Sequence, residues 1–223
     1  MEGSGKIFGI GLSRTGTTSL AKALAMLGYK AIHARVAHHI EEYEASTDVP
    51  VAARYQRLDK QYPNSRFILT VREMDSWLES CRQHYESYNP FELKNFNQAT
   101  EYAFCRGALY GIDDYDPDIF RAAYQRYVEG VYEYFKDRRH DLLELNIVAG
   151  EGFEKLCPFL GQPIPDAPFP KSNESKPSPR QSGLQQVRTN SAGNQSHAEQ
   201  RKLAKMHLRL SISHFFRSLN PRV

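Results

Sequence analysis

Residues 6–20, Lys6-Ile-Phe-Gly-Ile-Gly-Leu-Ser-Arg-Thr-Gly-Thr-Thr-Ser-Leu20, constrain this chain more than any other stretch. Residues 7–10 are an apolar run suited to a buried strand, a Gly-rich turn follows, and residues 17–27 have helical composition up to Gly28. Strand, tight loop and helix in that order form a phosphate cradle. The spacing Gly11-x4-Gly16 followed by Thr17-Thr18 is that of a Walker A loop, except that Thr17 stands where its Lys is expected. Successive backbone N–H groups and the positive helix end still favour an anion, and Arg14 offers a charge from a different position in the loop. The pattern predicts a bound phosphate and argues against a Mg-ATP site.

Alternating strand and helix signals continue along the chain. Residues 30–33 read as a second strand and residues 37–44 as a polar helical stretch. Pro50 disfavours helical geometry at Val49 while fitting the first turn of a helix over 51–62, which Thr47 or Asp48 could cap. Arg66-Phe-Ile-Leu-Thr-Val71 reads as a buried parallel strand that ends at Arg72. A Walker B strand would end in an Asp to hold magnesium, so a cation at this position argues a second time against a metal-dependent NTPase. Helices are expected over 75–85, 91–110 and 118–138. The last carries an apolar stripe of Ile119, Tyr124, Tyr127, Val128, Val131 and Phe135. A strand over 142–147 and a short helix over 153–160, ended by Gly161, complete the alternation. The fold class expected is α/β, a three-layer α/β/α phosphate-loop fold around a central parallel sheet. The 13 tyrosines read mainly as core and half-buried helix faces.

Length and an apolar content of 40% allow one substantial core, placed in residues 1–170. Residues 171–200, rich in Pro, Ser, Asn and Gln, read as a polar linker, and residues 201–223 as a basic amphipathic helix suited to docking on the core, a protein contact or an anionic membrane surface. The formal charge of +3 conceals an asymmetry. Residues 171–223 hold 10 Lys+Arg against 2 Asp+Glu, leaving 19 against 24 in residues 1–170. A nucleic-acid reading would therefore rest on the tail alone, where no recognised module is visible, and none is expected. The absence of a signal-like or bilayer-spanning apolar run predicts a soluble, cytoplasmic protein. Cys81, Cys105 and Cys157 have neither metal-ligand nor redox spacing and are expected reduced and buried, with no metal site.

Arg14-Thr-Gly-Thr-Thr, together with Arg66-Phe-Ile-Leu-Thr-Val-Arg72 and Ser80 eight residues later, resembles the sulfotransferases that use 3′-phosphoadenosine-5′-phosphosulfate (PAPS). The likeness runs on through residues 141–173, where Leu-Leu-Glu-Leu-Asn, Phe-Glu-Lys-Leu-Cys-Pro-Phe-Leu-Gly and Pro-Phe-Pro-Lys-Ser-Asn look like the closing segment of the phosphate-loop branch of that family. The resemblance implies that the first loop (Ser13, Arg14, Thr15, Gly16, Thr17, Thr18 and Ser19) holds the 5′-phosphosulfate, and that Arg72 and Ser80 hold the 3′-phosphate. It implies PAPS as donor, no metal, and a small-molecule or carbohydrate acceptor sulfated at a hydroxyl or amine.

The resemblance also supplies candidates for the base. In the cytosolic branch a His, an apolar residue and Pro precede the 3′-phosphate Arg by a little over twenty residues; here the matching pattern is Asp48-Val49-Pro50, 24 residues before Arg72. Asp48 is the first candidate, with simple helix capping as its alternative role. His33, at the end of the second strand and hence on the ligand-binding edge of such a sheet, is the second. The family's adenine-stacking Trp is replaced by Ser19, which leaves Trp77 or a tail aromatic to serve. Lys171, Arg180 or Arg188 would substitute for the family's C-terminal Arg-Lys-Gly loop, which is not recognisable. A nucleotide kinase or NTPase, and a non-catalytic phosphonucleotide-binding protein, are the rival readings.

Overall fold

The computed structural model describes residues 5–34, 40–87, 96–112 and 114–172. The chain divides into two compact units, Met1–Ser87 with Glu101–Glu174, and Tyr88–Thr100 with Ser175–Val223. The first holds the sheet. Its strands are β1 (Ile7–Gly9), β2 (Ala31–His33), β3 (Ala45–Thr47), β4 (Arg66–Thr70) and β5 (Leu142–Leu145). All pair in parallel in the order β2-β3-β1-β4-β5, so this is the expected α/β sheet. The helices are α1 (Thr17–Met26), α2 (Val49–Ala52), α3 (Tyr55–Gln61), α4 (Met74–Ser87), α5 (Phe96–Tyr110), α6 (Pro117–Tyr134) and α7 (Phe153–Leu160).

Alternation along each strand sends side chains to opposite layers. Ile7, Ala45, Ile68 and Leu145 pack with Leu20, Ala23 and Leu24 of α1 and with Phe153, Leu156 and Cys157 of α7. Phe8, Phe67 and Leu69 face the other way, onto Tyr55 and Leu58 of α3 and Val131 of α6. A third cluster joins α4, α5 and α6 through Trp77, Cys105, Leu109, Tyr110 and Phe120, with Leu12 of the phosphate loop among them. All three cysteines are free and buried.

Several expectations are corrected. Residues 41–44 are turn and irregular backbone rather than the end of a helix, and they lead into β3, a strand the sequence did not announce; residues 37–39 lie outside the described residues. The cause is tertiary: Lys6 Nζ donates to the carbonyls of Ile40, Glu41 and Tyr43 at 2.8–2.9 Å, drawing this segment alongside β1. Polar Ser46 and Thr47 then sit buried mid-sheet, where periodicity has nothing to read in three residues. The single helix expected over 51–62 is two, broken at Ala53 and Arg54. In α6 the buried stripe uses Phe120, whereas Ile119 is 41% exposed. The strand expected over 142–147 stops at Leu145, and Ile147–Ala149 forms a 3-10 turn. Of the helix expected over 91–110, residues 91–95 lie outside the described residues, as do residues 173–223 with the expected linker and basic helix. Among the described residues no helix is long and apolar enough to cross a membrane.

Gly11, where β1 enters the loop, is required by close approach. A Cβ there would lie 1.8 Å from Thr70 Oγ1 and 2.6 Å from the Thr70 carbonyl oxygen. Gly11→Ala is expected to cost about 3 kcal/mol by forcing β1 and β4 apart, read as a lowered midpoint in urea at unchanged m-value. A midpoint equal to wild type would mean the loop relaxes freely.

Candidate active site

Because the sheet is parallel, the exits of all five strands lie on one edge. Strands β2 and β3 lie to one side of β1, and β4 and β5 to the other, and ligands of such sheets bind where the winding reverses. The loop after β1 stands at that point and is fixed from within. Thr15 Oγ1 donates to the Leu12 carbonyl and pairs with Thr70 Oγ1, both at 2.6 Å, and the Thr15 amide donates to the same carbonyl at 3.3 Å. Thr15 therefore shapes the loop with its hydroxyl and does not point it outward. Trp77 Nε1 donates to the Ser13 carbonyl at 2.8 Å, and the Ser13 amide donates to the Tyr110 hydroxyl at 3.2 Å. Gly16 (φ 107°) heads α1 without a side-chain cap, so the first-turn amides of Thr17, Thr18 and Ser19 face the loop with no capping side chain from that residue.

Two guanidinium groups meet beside this cradle. Arg14, in left-handed backbone (φ 71°), donates from Nε to Ser80 Oγ at 3.0 Å. Arg72, at the exit of β4, donates from Nε to Ser76 Oγ at 2.9 Å and from Nη1 to the Arg14 carbonyl at 3.2 Å. Ser76 and Ser80, four residues apart, share one face of α4. The Tyr124 hydroxyl holds the Arg72 backbone on both sides, donating to its carbonyl at 2.8 Å and accepting from its amide at 3.0 Å. Burial and then the like charge of Arg14 lower the Arg72 pKa, and among the described residues neither arginine is ion-paired to a carboxylate. One turn beyond Ser80, burial and then Arg14 and Arg106 push the His84 pKa down to about 4. Burial pushes the Cys81 thiol up to about 12. Burial is the first cause of both shifts; the Arg14, Arg72 and Arg106 charges, which disfavour protonated His84 and favour the Cys81 thiolate, are the part that suits an anion.

A second group forms at the exits of β2 and β3. His33 Nε2 lies 3.3 Å from Asp48 Oδ2 and 3.4 Å from Thr18 Oγ1, while Nδ1 lies 3.1 Å from Thr47 Oγ1. Thr47 Oγ1 donates in turn to the Thr17 carbonyl at 3.1 Å, and the Tyr102 hydroxyl donates to Asp48 Oδ2 at 3.4 Å. The two residues that the sequence offered as alternative bases are thus one hydrogen-bonded pair. Asp48 is 4% exposed and has φ 94° and ψ 179°, a backbone region that residues with a Cβ enter only under strain. Its side chain makes no cap bond to α2, so the capping role is corrected: the carboxylate is turned to His33 instead.

Other placements differ from expectation. Ser19 is buried, and its Oγ accepts from the Ser172 amide at 3.0 Å. Trp77 is fully buried against Phe120 and Tyr124, so it is no adenine platform. Lys171 is described, whereas Arg180 and Arg188 lie outside the described residues. The sequence reading gave no binding or catalytic role to Ser76, Thr47, Tyr102, Tyr110 or Tyr124. Ser76 carries a usable signal, standing midway between Arg72 and Ser80 at helical spacing. The tyrosines carry none, since their partners, backbone atoms for Tyr124 and Tyr110 and the Asp48 carboxylate for Tyr102, lie 52, 97 and 54 residues away. Among the described residues no cluster of three metal-ligating side chains occurs.

A glycine-rich loop at the reversal point of a parallel sheet, flanked by two arginines that among the described residues pair with no carboxylate, has the chemistry to suit an anionic ligand. The family model of the sulfotransferase domain matches residues 6–39 and 34–177, and the chain belongs to this family. It is similar to the Ava biosynthesis cluster protein M of Aspergillus versicolor, with 26% identity over an alignment 211 positions long and coverage of 74% of this chain and 79% of the relative.

Proposed function

We propose that this sulfotransferase moves a sulfuryl group from PAPS to a hydroxyl or amine of a small-molecule or carbohydrate acceptor. The observation that carries the reading is the pair Arg14–Arg72, seated on Ser80 and Ser76 beside the open N-terminus of α1. Side-by-side guanidinium groups without a carboxylate partner among the described residues fit a phosphate-rich ligand, because a phosphate offsets the burial and then the Arg14 repulsion that lower the Arg72 pKa. PAPS, when bound, supplies a sulfuryl group attached to a 5′-phosphate leaving group. Arg72, Ser76 and Ser80 would hold its 3′-phosphate, while the loop amides and the Arg14 charge would stabilise the oxygens on which charge develops. Ser13, Thr17 and Thr18 line the same turn. The His33–Asp48 pair, one loop away and bonded to Thr18, would take the acceptor's proton. The Aspergillus relative is named as a biosynthesis cluster protein, which supports an acceptor made by a biosynthetic route.

Direct binding tests the donor. Adenosine-3′,5′-bisphosphate is expected to bind more tightly than ATP and independently of magnesium, as measured by calorimetry. Equal or tighter magnesium-dependent binding of ATP would overturn the assignment in favour of a nucleotide kinase. Labelled PAPS offered to an acceptor panel then separates an enzyme from a protein that binds the nucleotide without turnover.

A further inference from the structure

We propose that His33 and Thr47 are positioning residues that register Asp48 against the phosphate loop, so that Asp48 itself takes the acceptor's proton. The inference rests on the sulfuryl-transfer reading for the source of that proton; the hydrogen-bond chain it invokes does not.

The argument is a count of donors and acceptors. Thr47 is fully buried, and its hydroxyl has one hydrogen for two neighbours, the Thr17 carbonyl and His33 Nδ1, each at 3.1 Å. When that hydrogen lies on the carbonyl, Nδ1 must donate to Thr47. Nε2 then meets the Asp48 carboxylate as a donor too, and the ring is an imidazolium. When the hydroxyl turns to Nδ1, the ring is neutral and its single hydrogen sits on Nε2, again toward Asp48. With Asp48 ionised, Nε2 carries a hydrogen in both states because it faces the carboxylate at 3.3 Å, Thr18 Oγ1 lying slightly farther at 3.4 Å, and the ring exchanges its proton at Nδ1, on the side of Thr47. His33 presents no nitrogen to an acceptor in either state, and its contribution passes through Asp48.

Three further observations fit this order. Asp48 follows Thr47 directly, and its strained backbone turns the carboxylate back onto the ring. When the Thr47 hydrogen lies on the Thr17 carbonyl, the chain Asp48–His33–Thr47 ends on the first residue of α1 and ties the base to the helix that follows the loop. The Tyr102 hydroxyl supports Asp48 Oδ2 from α5. In the transfer step the acceptor's O–H or N–H bond breaks and its proton goes to the Asp48 carboxylate. The acceptor's electron pair forms the bond to sulfur, and the bridging S–O pair leaves on the 5′-phosphate. No further reactant is needed.

Nitrogen-15 spectra of the histidine rings in the full chain test the hydrogen positions without donor or acceptor. Neutral His33 is expected with its hydrogen on Nε2, and in Thr47→Val the Nδ1 signal should move toward that of a nitrogen accepting no hydrogen bond, with Thr47→Ser restoring it. Neutral His33 with its hydrogen on Nδ1, or a Thr47→Val ring signal identical to wild type, overturns the proposal. Adenosine-3′,5′-bisphosphate affinity should be the same in all three proteins, which shows that the loop is intact. With an acceptor from the panel, Thr47→Val should lower kcat by as much as ~10²-fold at unchanged KM for PAPS, as displacement of a catalytic group does, and Thr47→Ser should recover most of it. An unchanged kcat in Thr47→Val also overturns the proposal. Ring signals that behave as expected in a protein binding no adenosine-3′,5′-bisphosphate would leave the positioning chain standing and remove the sulfuryl-transfer reading.

Discussion

Asp48→Asn is expected to leave a folded protein with near-wild-type affinity for adenosine-3′,5′-bisphosphate and to lower turnover by roughly 10²–10⁴-fold, the usual worth of a positioned general base. Asparagine is the informative substitution because Asp and Asn tolerate positive φ better than other residues with a Cβ, and position 48 sits at φ 94°. It also keeps an oxygen that can accept from His33 Nε2 and the Tyr102 hydroxyl, so shape is retained while the proton-accepting charge is lost. Asp48→Ala would mix loss of the base with backbone strain and an abandoned His33, and a fall in its activity would decide little. The measurement is kcat with labelled PAPS alongside a thermal melt. A stable, fully active Asn variant would sink Asp48 as the base and move the same test to His33.

Arg72→Ala should weaken binding of nucleotides carrying a 3′-phosphate by about 2–5 kcal/mol, the range for truncating one partner of a buried charged contact. Affinity for the corresponding 5′-monophosphate should change far less. The selectivity follows from position: Arg72 leaves β4, is held at both backbone polar groups by Tyr124, and reaches Ser76 and the Arg14 carbonyl. Arg72→Lys should recover only part of the loss, since an ammonium keeps the charge and loses the two-pronged grip. Calorimetry with both nucleotides is the check, and equal losses for the two would make Arg72 a structural residue that braces the Arg14 turn.

Much of this molecule is legible in one dimension wherever the relevant residues lie close together in the chain. The strand, loop and helix of residues 7–26 are local: an apolar run, glycines at turn spacing, and a helix opening on Thr17. The exit of β4 at Arg72, and Ser80 two turns into α4, follow from the same short-range periodicities. Fold class follows from their alternation, and the proposed anion seat rests on Gly11, Arg14, Gly16 and Arg72.

What the sequence could not disclose is set by contacts distant along the chain. Strand β3 exists because Lys6 binds the carbonyls before it and because β1 and β2 offer it edges; Ala45-Ser46-Thr47 has no strand signature of its own. Trp77 looked free to stack on a base until Phe120 and Tyr124, more than forty residues on, closed over it. Asp48 and His33 read as rivals because 15 residues separate them. Parallel pairing of β2 with β3 places His33 opposite Thr47, and the strained turn at Asp48 then brings the carboxylate onto the ring. The sequence alone determined the strand, glycine-rich loop and helix of residues 7–26 and the α/β alternation, because both are encoded by neighbours within a few turns. Only the tertiary structure decided which polar groups meet at the sheet's edge, because strand register, and not spacing in the chain, sets those distances.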